Sequence, residues 1–240
     1  MTNYSQNCAS EGLSCTIVIP CYNEEENVLR LLDEIELAIN ETGFHFLVVD
    51  NGSTDFTPNL LASKQLVGLS VIRLETNAGY GGGILAGVRA TRTALVGWMH
   101  ADLQTSPREL VAFESKLVDH PFAKGLRQER QFSDRVLTLA MSFVQLVLWK
   151  KWLPDINGQP TIVDSRWMAS FDYLPNDFSL DLCVVLKAAH EKINFARIPV
   201  PFRERHAGQS KWNFGWKSKL KFSRRVLIYS IKYRFHSLAR

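Results

Sequence analysis

Apolar and polar positions alternate between two rhythms along the first hundred residues. Cys15-Thr-Ile-Val-Ile-Pro20 is a β-branched run closed by a proline, which predicts a strand and a stop. From Glu24 to Asn40 the apolar residues Val28, Leu31, Leu32, Ile35 and Ile39 recur at helical spacing, with acids in the first turn. Phe44-His-Phe-Leu-Val-Val49 predicts a second strand, Thr57–Leu66 a helix and Leu69-Ser-Val-Ile-Arg-Leu74 a third strand. Asn77-Ala-Gly-Tyr-Gly-Gly-Gly83 is expected as a loop, Ile84–Thr93 as a helix and Ala94–Met99 as a fourth strand. Alternation of this kind argues for parallel βαβ units with helices on both faces, hence an α/β fold. In such sheets ligands collect at the carboxyl ends of the strands. Pro20-Cys-Tyr-Asn-Glu24, Asp50-Asn-Gly-Ser-Thr-Asp55 and His100-Ala-Asp-Leu-Gln104 all fall there.

With 240 residues and 46% apolar content, the chain can build one large core. Its four cysteines show no metal spacing, and Cys15 and Cys21 flank one strand, so buried free thiols in a reducing compartment are expected. The polar start, residues 1–13, has no apolar stretch of the signal-peptide kind. The apolar run Val136–Trp149 is shorter than the ~20 residues of a membrane span and contains Gln145. A packed helix, or one touching a membrane surface, is expected instead. Charge is uneven: residues 201–240 hold eleven Lys and Arg against the single acid Glu204, although the whole chain carries only +4. Trp216, Leu220, Leu227, Ile231 and Phe235 lie near helical spacing among those cations, a basic amphipathic pattern suited to an anionic membrane surface. No nucleic-acid-binding motif accompanies it, so no nucleic-acid partner is expected.

The candidate chemistry sits in the polar clusters. In an extended chain alternate residues point the same way, so His100, Asp102 and Gln104 are expected on one side. Asp102 and Gln104 offer oxygen ligands to a divalent cation, Mn²⁺ or Mg²⁺, and Mn²⁺ would also accept the His100 imidazole. Such an ion would neutralise a diphosphate leaving group. The run Gly79-Tyr-Gly-Gly-Gly83 fits neither the dinucleotide fingerprint nor the P-loop spacing. Arg203-Glu-Arg205-His-Ala-Gly-Gln-Ser-Lys211 offers cations for a phosphate.

Thr16-Ile-Val-Ile-Pro-Cys-Tyr-Asn-Glu-Glu25, Val48-Val-Asp-Asn-Gly-Ser-Thr-Asp55, Asn77-Ala-Gly-Tyr-Gly81 and His100-Ala-Asp-Leu-Gln104 together resemble family 2 glycosyltransferases. Ile156-Asn-Gly-Gln-Pro160 and Arg205-His-Ala-Gly-Gln-Ser-Lys211 resemble the polyprenyl-phosphate branch, which includes dolichyl-phosphate mannose synthase. The resemblance covers about residues 14–212, taken as the catalytic domain, with 213–240 as a basic helical segment. It implies a GT-A fold, a mixed and mostly parallel sheet sandwiched by helices, that binds a nucleotide-diphosphate sugar with a divalent cation. By motif, Pro20, Tyr22 and Glu24 would contact the nucleotide. Val49 and Asn51 would flank the base, and His100, Ala101 and Asp102 would line the ribose and diphosphate. Asp102 and Gln104 would hold the metal. Arg127 would face donor and acceptor phosphates, and Arg205 and Lys211 would close over the diphosphate. The family usually has Asp where His100 stands and often Asp where Asn51 stands, so the metal motif has lost a carboxylate.

The implied activity is inverting sugar transfer to a polyprenyl phosphate by an enzyme attached peripherally to the cytoplasmic membrane face. A hydroxyl acceptor would need a carboxylate base, and Asp177 and Asp181 lie where many relatives of the resembled family place one. Two rival readings are a transferase acting on a saccharide or other hydroxyl, and a weakened sugar-nucleotide-binding scaffold.

Overall fold

The structure, a computed structural model, describes residues 14–128, 132–203, 227–231 and 233, with the backbone alone for 132–137 and 140. In chain order the elements are β1 (Cys15–Cys21), α1 (Val28–Thr42), β2 (His45–Asp50), α2 (Thr57–Ala62), β3 (Leu69–Arg73), α3 (Gly79–Ala90) and β4 (Leu95–Trp98). There follow a 3-10 turn (Pro107–Leu110), α4 (Val111–Leu117), β5 (Ala123–Arg127), α5 (Phe132–Trp149), β6 (Thr161–Asp164), α6 (Ser165–Ala169), α7 (Ser179–His190) and β7 (Ala196–Val200).

Seven strands form one sheet in the order β3-β2-β1-β4-β6-β5-β7. β1 pairs parallel with both β2 and β4, β2 with β3, and β5 with β7, whereas β6 runs antiparallel between β4 and β5. This is the mixed, mostly parallel sheet that the alternation predicts. The chain winds outward from β1 through β2 to β3 and then returns to the other side at β4. The β1/β4 boundary is therefore the switch point where such sheets open a crevice.

The central strands β1, β2 and β4 are buried on both faces, which accounts for their continuous apolar runs. On one face Ile17, Ile19, Phe46 and Val48 pack against Leu31, Leu32 and Ile35 of α1 and Phe113 of α4. On the other, Val18, Val49, Val96 and Trp98 pack under Ile84 and Leu85 of α3. Cys15 and Cys21 stand at opposite ends of β1, and both are free and buried, as is Cys183.

The structure departs from the predicted elements in two places. The glycine run expected as a loop forms the first turn of α3. Glycine is a poor helix former in isolation, but here another segment lies directly over the turn. A Cβ on Gly81 would sit 2.5 Å from the carbonyl oxygen of Pro175, and Gly82 N–H donates to Asn176 O at 3.0 Å. The apolar run of α5 forms the expected helix but with its polarity inverted. Ser142 and Gln145 are buried, while Leu139, Phe143 and Val147 are exposed at 55, 60 and 66%.

Residues 227–231 and 233, the described part of the basic tail, are helical, and Ser230 bonds to α5. Trp149 Nε1 donates to Ser230 Oγ, which donates to Gln145 Oε1. Tyr229 and Tyr233 join Leu182, Val185 and Leu186 of α7. Among the described residues no helix is long and apolar enough to cross a membrane.

Candidate active site

The loops after β1 and β2 are tied together before any ligand is considered. Asn23 N–H donates to Ser53 Oγ at 3.0 Å, Thr54 N–H to Asn23 Oδ1 at 2.8 Å, and Glu24 N–H to Thr57 Oγ1 at 2.8 Å. Asp50 supports this turn from beneath: Oδ1 accepts from Ser53 N–H and Oδ2 lies 3.3 Å from Arg73 Nε. Gly52 permits the turn with φ +74°, and a Cβ there would meet Thr76 backbone at 2.6 Å.

Asn51 closes the base of the next segment. Its amide donates to Gly79 O at 3.0 Å and to Asn77 Oδ1 at 3.3 Å, and its Oδ1 accepts from Ala78 N–H at 3.0 Å. The amide is thus both donor and acceptor, a combination that no carboxylate supplies.

β4 stops at Trp98, and residues 100–104 turn rather than continuing as a strand. Leu103 is left-handed at φ 58° with its side chain buried in the core, and Asp102 Oδ1 accepts from Gln104 N–H at 3.2 Å. The extended alternation expected for His100, Asp102 and Gln104 is therefore not how they come together; an Asx turn aims them into one cavity instead. Gln104 also joins the segment after β7, since Arg203 N–H donates to Gln104 O at 2.8 Å and Gln104 Nε2 to Arg203 O at 3.3 Å.

That cavity, about 400 Å³, opens at the β1/β4 switch point. Of the residues expected in the site, Pro20, Tyr22, Glu24, Asn51, His100, Ala101, Asp102, Gln104 and Arg127 line it. Val49 does not: it is fully buried on the α3 face of β2, where its Cγ2 would stand 3.1 Å from a Cβ on Gly87. Arg205 and Lys211 lie outside the described residues.

Asp181 does not line the cavity either. It is 2% exposed beneath it, and both its carboxylate oxygens are engaged. Tyr80 OH donates to Oδ2 at 2.7 Å, Trp98 Nε1 donates to Oδ1 at 3.0 Å, and Lys124 Nζ is 3.6 Å from Oδ1. A base must reach the proton that it removes. This carboxylate instead faces the protein interior.

Arg127 is pinned at the opposite wall. Its Nε donates to both oxygens of Asp155 at 3.0 and 3.1 Å, its terminal nitrogen to Asp155 Oδ1 as well, and its Cζ lies 5.0 Å over the Phe202 ring. Burial pushes the Lys124 ammonium down to about 8, with Asp181 opposing that shift. Burial, with the Asp181 charge adding to it, holds the Tyr80 phenol well above its ordinary value.

Tyr80, Asn157, Gln159, Phe178 and Phe202 also line the cavity; the first three stand in the motifs quoted above but had no role assigned, and the last two stand in none. Tyr80 was hidden in a glycine run that looked like a loop. The others come from segments whose approach depends on the sheet order. Lys124 and Asp155 carried no local signal at all.

The donor set bears on a metal. Among the described residues no three of His, Cys, Asp or Glu converge as a cage. Asp102 supplies one buried carboxylate facing the cavity, with Gln104 beside it. Mg²⁺-type ions are commonly held by one or two carboxylates plus substrate phosphates. The residues present therefore fit an ion shared with a bound diphosphate and do not form a site complete without one.

Comparisons with known proteins bear on the family and the fold. The family model described as glycosyl transferase family 2 matches residues 16–172. An undecaprenyl-phosphate 4-deoxy-4-formamido-L-arabinose transferase of Pseudomonas paraeruginosa is 39% identical over 218 residues, covering 82% of this chain and 60% of the relative. A dodecaprenyl-phosphate galacturonate synthase of Rhizobium johnstonii is 30% identical over 114 residues, 45% of this chain and 33% of the relative. The chain thus spans 60% of the length of the arabinose transferase. In fold it is similar to the glucosyl-3-phosphoglycerate synthase of Mycobacterium tuberculosis, solved with Mn²⁺, UDP-glucose and phosphoglyceric acid. The TM-score is 0.72 at 17% identity, covering 93% of this chain and 80% of that one.

Proposed function

The chain belongs to glycosyl transferase family 2, and on that premise we propose that it transfers a sugar from a nucleotide-diphosphate sugar to a polyprenyl phosphate at a membrane surface. The observation that carries this reading is the division of the cavity. One wall, from Pro20 to Glu24 with Asn51, suits a nucleotide, and the other presents a pinned Arg127 to phosphates. Asp102 and Gln104 lie between them.

A phosphomonoester is already anionic at neutral pH, with a second pKa of about 6. Its oxygen attacks the anomeric carbon from the side opposite the leaving group. The new C–O bond forms as the bond to the nucleotide diphosphate breaks, and configuration inverts. No protein base is needed, which agrees with an Asp181 carboxylate committed to Tyr80, Trp98 and Lys124. A hydroxyl acceptor would need such a base. The names of the two curated relatives, both acting on polyprenyl phosphates, support the same acceptor class.

In this reading Asp102 and Gln104 would hold a divalent cation that neutralises the departing diphosphate. Arg127, held by Asp155, orients the acceptor phosphate and offsets its repulsion from the donor diphosphate. Arg205 and Lys211 would supply further charge at the diphosphate. The exposed apolar side chains of α5, next to the basic tail, support contact with an anionic leaflet, where the acceptor resides.

The test is direct. The protein is incubated with Mn²⁺, a panel of nucleotide sugars and either a short polyprenyl phosphate or the matching polyprenol, and the lipid products are identified by mass. A glycosylated polyprenyl phosphate is expected, with the alcohol unreacted. Glycosylation of the alcohol, or of saccharides alone, would overturn the reading.

A further inference from the structure

A buried ionic cluster beneath the cavity is left unused by the chemistry above. Lys124 and Asp181 are each at most 2% exposed, on β5 and at the start of α7. Lys124 Nζ donates to Thr161 Oγ1 of β6 at 2.6 Å. Tyr80 has one hydroxyl proton and gives it to Asp181, so its oxygen accepts from Gln159 Nε2. Through Tyr80, Trp98, Lys124 and Thr161 the cluster reaches α3, β4, β5 and β6.

Those elements carry opposite walls of the cavity. The entry turn of α3 receives the Asn51 amide on the nucleotide side, and β5 ends in Arg127 on the other. The Tyr80 ring stacks on Phe178 at 4.4 Å and lies 5.4 Å from the His100 ring. A buried ion pair is weak ground for a purely stabilising role, because apolar residues of similar volume often serve as well or better. What this pair has that an apolar pair lacks is a fixed acceptor for the Tyr80 hydroxyl.

We propose that Asp181, neutralised by Lys124, is a positioning residue: it anchors the Tyr80 hydroxyl and thereby sets the His100–Asp102 segment relative to Arg127. It acts through Tyr80 and touches neither donor nor acceptor. The proposal rests on the transferase reading for its kinetic consequences but not for its spectroscopic one.

Three variants test it: Asp181→Asn, Tyr80→Phe and the double Lys124→Met/Asp181→Asn. Asp181→Asn keeps one acceptor oxygen but removes the anion that favours a charged Lys124, leaving its amine buried beside Arg127 and Arg197. It is expected to lower kcat about 100-fold, the scale of an ångström-sized misplacement, while KM for the donor moves less than about threefold. The double variant also removes the buried amine left without its anion and should recover about tenfold of that loss, and Tyr80→Phe should fall between them. The six tryptophans give six indole N–H resonances. The one assigned to Trp98 should shift in Tyr80→Phe, because the two side chains share one carboxylate.

Three results would overturn the proposal. One is Asp181→Asn and the double variant being equally inactive while donor binding and folding are intact, which would make Asp181 a base. Another is kcat and nucleotide affinity falling together in step with melting temperature, which would make the pair structural only. The third is a Trp98 indole signal unmoved by Tyr80→Phe. Wild-type protein that transfers no sugar would sink the functional reading, and the indole signal would still decide the network.

Discussion

Asn51 stands where the family often has an aspartate, and its contacts give the physical reason. The side chain is 3% exposed, donates to Gly79 O and Asn77 Oδ1, and accepts from Ala78 N–H. An aspartate would keep the last contact and turn a carboxylate oxygen towards two acceptors. Asn51→Asp should therefore destabilise the protein by about 1–3 kcal/mol, the range for leaving buried polar groups unpaired. It should also loosen the entry to α3. Urea denaturation measures this, and an unchanged midpoint would contradict the assignment. Asp102 admits a second test at this scale. Because it is the carboxylate of a donor set that needs a diphosphate to complete it, Mn²⁺ alone should bind weakly and Mn²⁺ with a nucleoside diphosphate strongly. Asp102→Asn preserves the acceptor for Gln104 N–H and removes the charge. It should cost at least about tenfold in Mn²⁺-dependent nucleotide affinity, the lower end of losses at metal sites. Melting temperature should hold. Calorimetry showing equal nucleotide affinity with and without Mn²⁺ in the wild type would remove the ion from the site. His100, Asp102 and Gln104 were legible as a group because their residue types demand an explanation at a strand end. Their geometry was not, since it depends on Leu103 adopting φ 58°, which its own sequence does not announce.

At the scale of elements, β1, α1 and β2 follow their apolar periodicity to within a few residues, because each buries one repeating face or both. α3 shows where that logic stops. Its first turn is made of residues that local propensity assigns to a loop, and it is helical because residues 175–178 cover it. Propensity and packing make opposite predictions for Gly81→Ala. In an exposed helix the change stabilises by up to about 1 kcal/mol. Here the new Cβ would fall 2.5 Å from Pro175 O and 2.6 Å from the Asn176 carbonyl carbon, both backbone atoms that cannot rotate away. The substitution should therefore destabilise by about 1–3 kcal/mol, the usual cost of overpacking. It should also displace Phe178 from the Tyr80 ring and so weaken nucleotide binding. A melting temperature equal to or above that of the wild type would mean that packing over this turn is looser than the structure indicates. α5 fails in the opposite way: its apolar run correctly predicted a helix, but nothing in the run says which face is inside. Ser142 is drawn inward by the Leu153 carbonyl at 2.9 Å and Gln145 by Ser230, both contacts supplied by distant segments.

For the whole molecule, strand order places the cavity, and that order was legible only as a class. The alternation of strands and helices implied a parallel core, but not the antiparallel β6 that brings Lys124 and Thr161 beneath the cleft. The tail illustrates the same limit. Its basic amphipathic pattern does not say what its apolar side packs on, and in the structure Tyr229, Ser230 and Tyr233 pack against α5 and α7. Deleting it would strip structure as well as charge, so point substitutions are the sharper probe of membrane contact. Leu139, Phe143, Leu146 and Val147 share a solvent-facing side of α5, and Leu227, Ile228 and Ile231 are 36–42% exposed on the stretch packed beside it. Apolar side chains of this size at the surface, next to a basic segment, suit a helix lying in a headgroup layer. The double variant Phe143→Ser/Val147→Ser removes two of the most exposed without touching a buried contact. It should reduce flotation with anionic vesicles at least about tenfold, since each fully buried large apolar side chain contributes about 1.5–3 kcal/mol. Melting temperature and nucleotide affinity should stay at wild-type values. Raising the salt should weaken the binding that remains, because the basic residues contribute about 1 kcal/mol each when near an anionic surface and are screened. Transfer to a long-chain polyprenyl phosphate in vesicles should fall with flotation, while transfer to a short soluble analogue should not. If the variant floats as well as the wild type, the exposed face of α5 is not what meets the membrane. If both transfer reactions fall together with melting temperature, these side chains belong to the fold and the membrane role passes from α5 altogether.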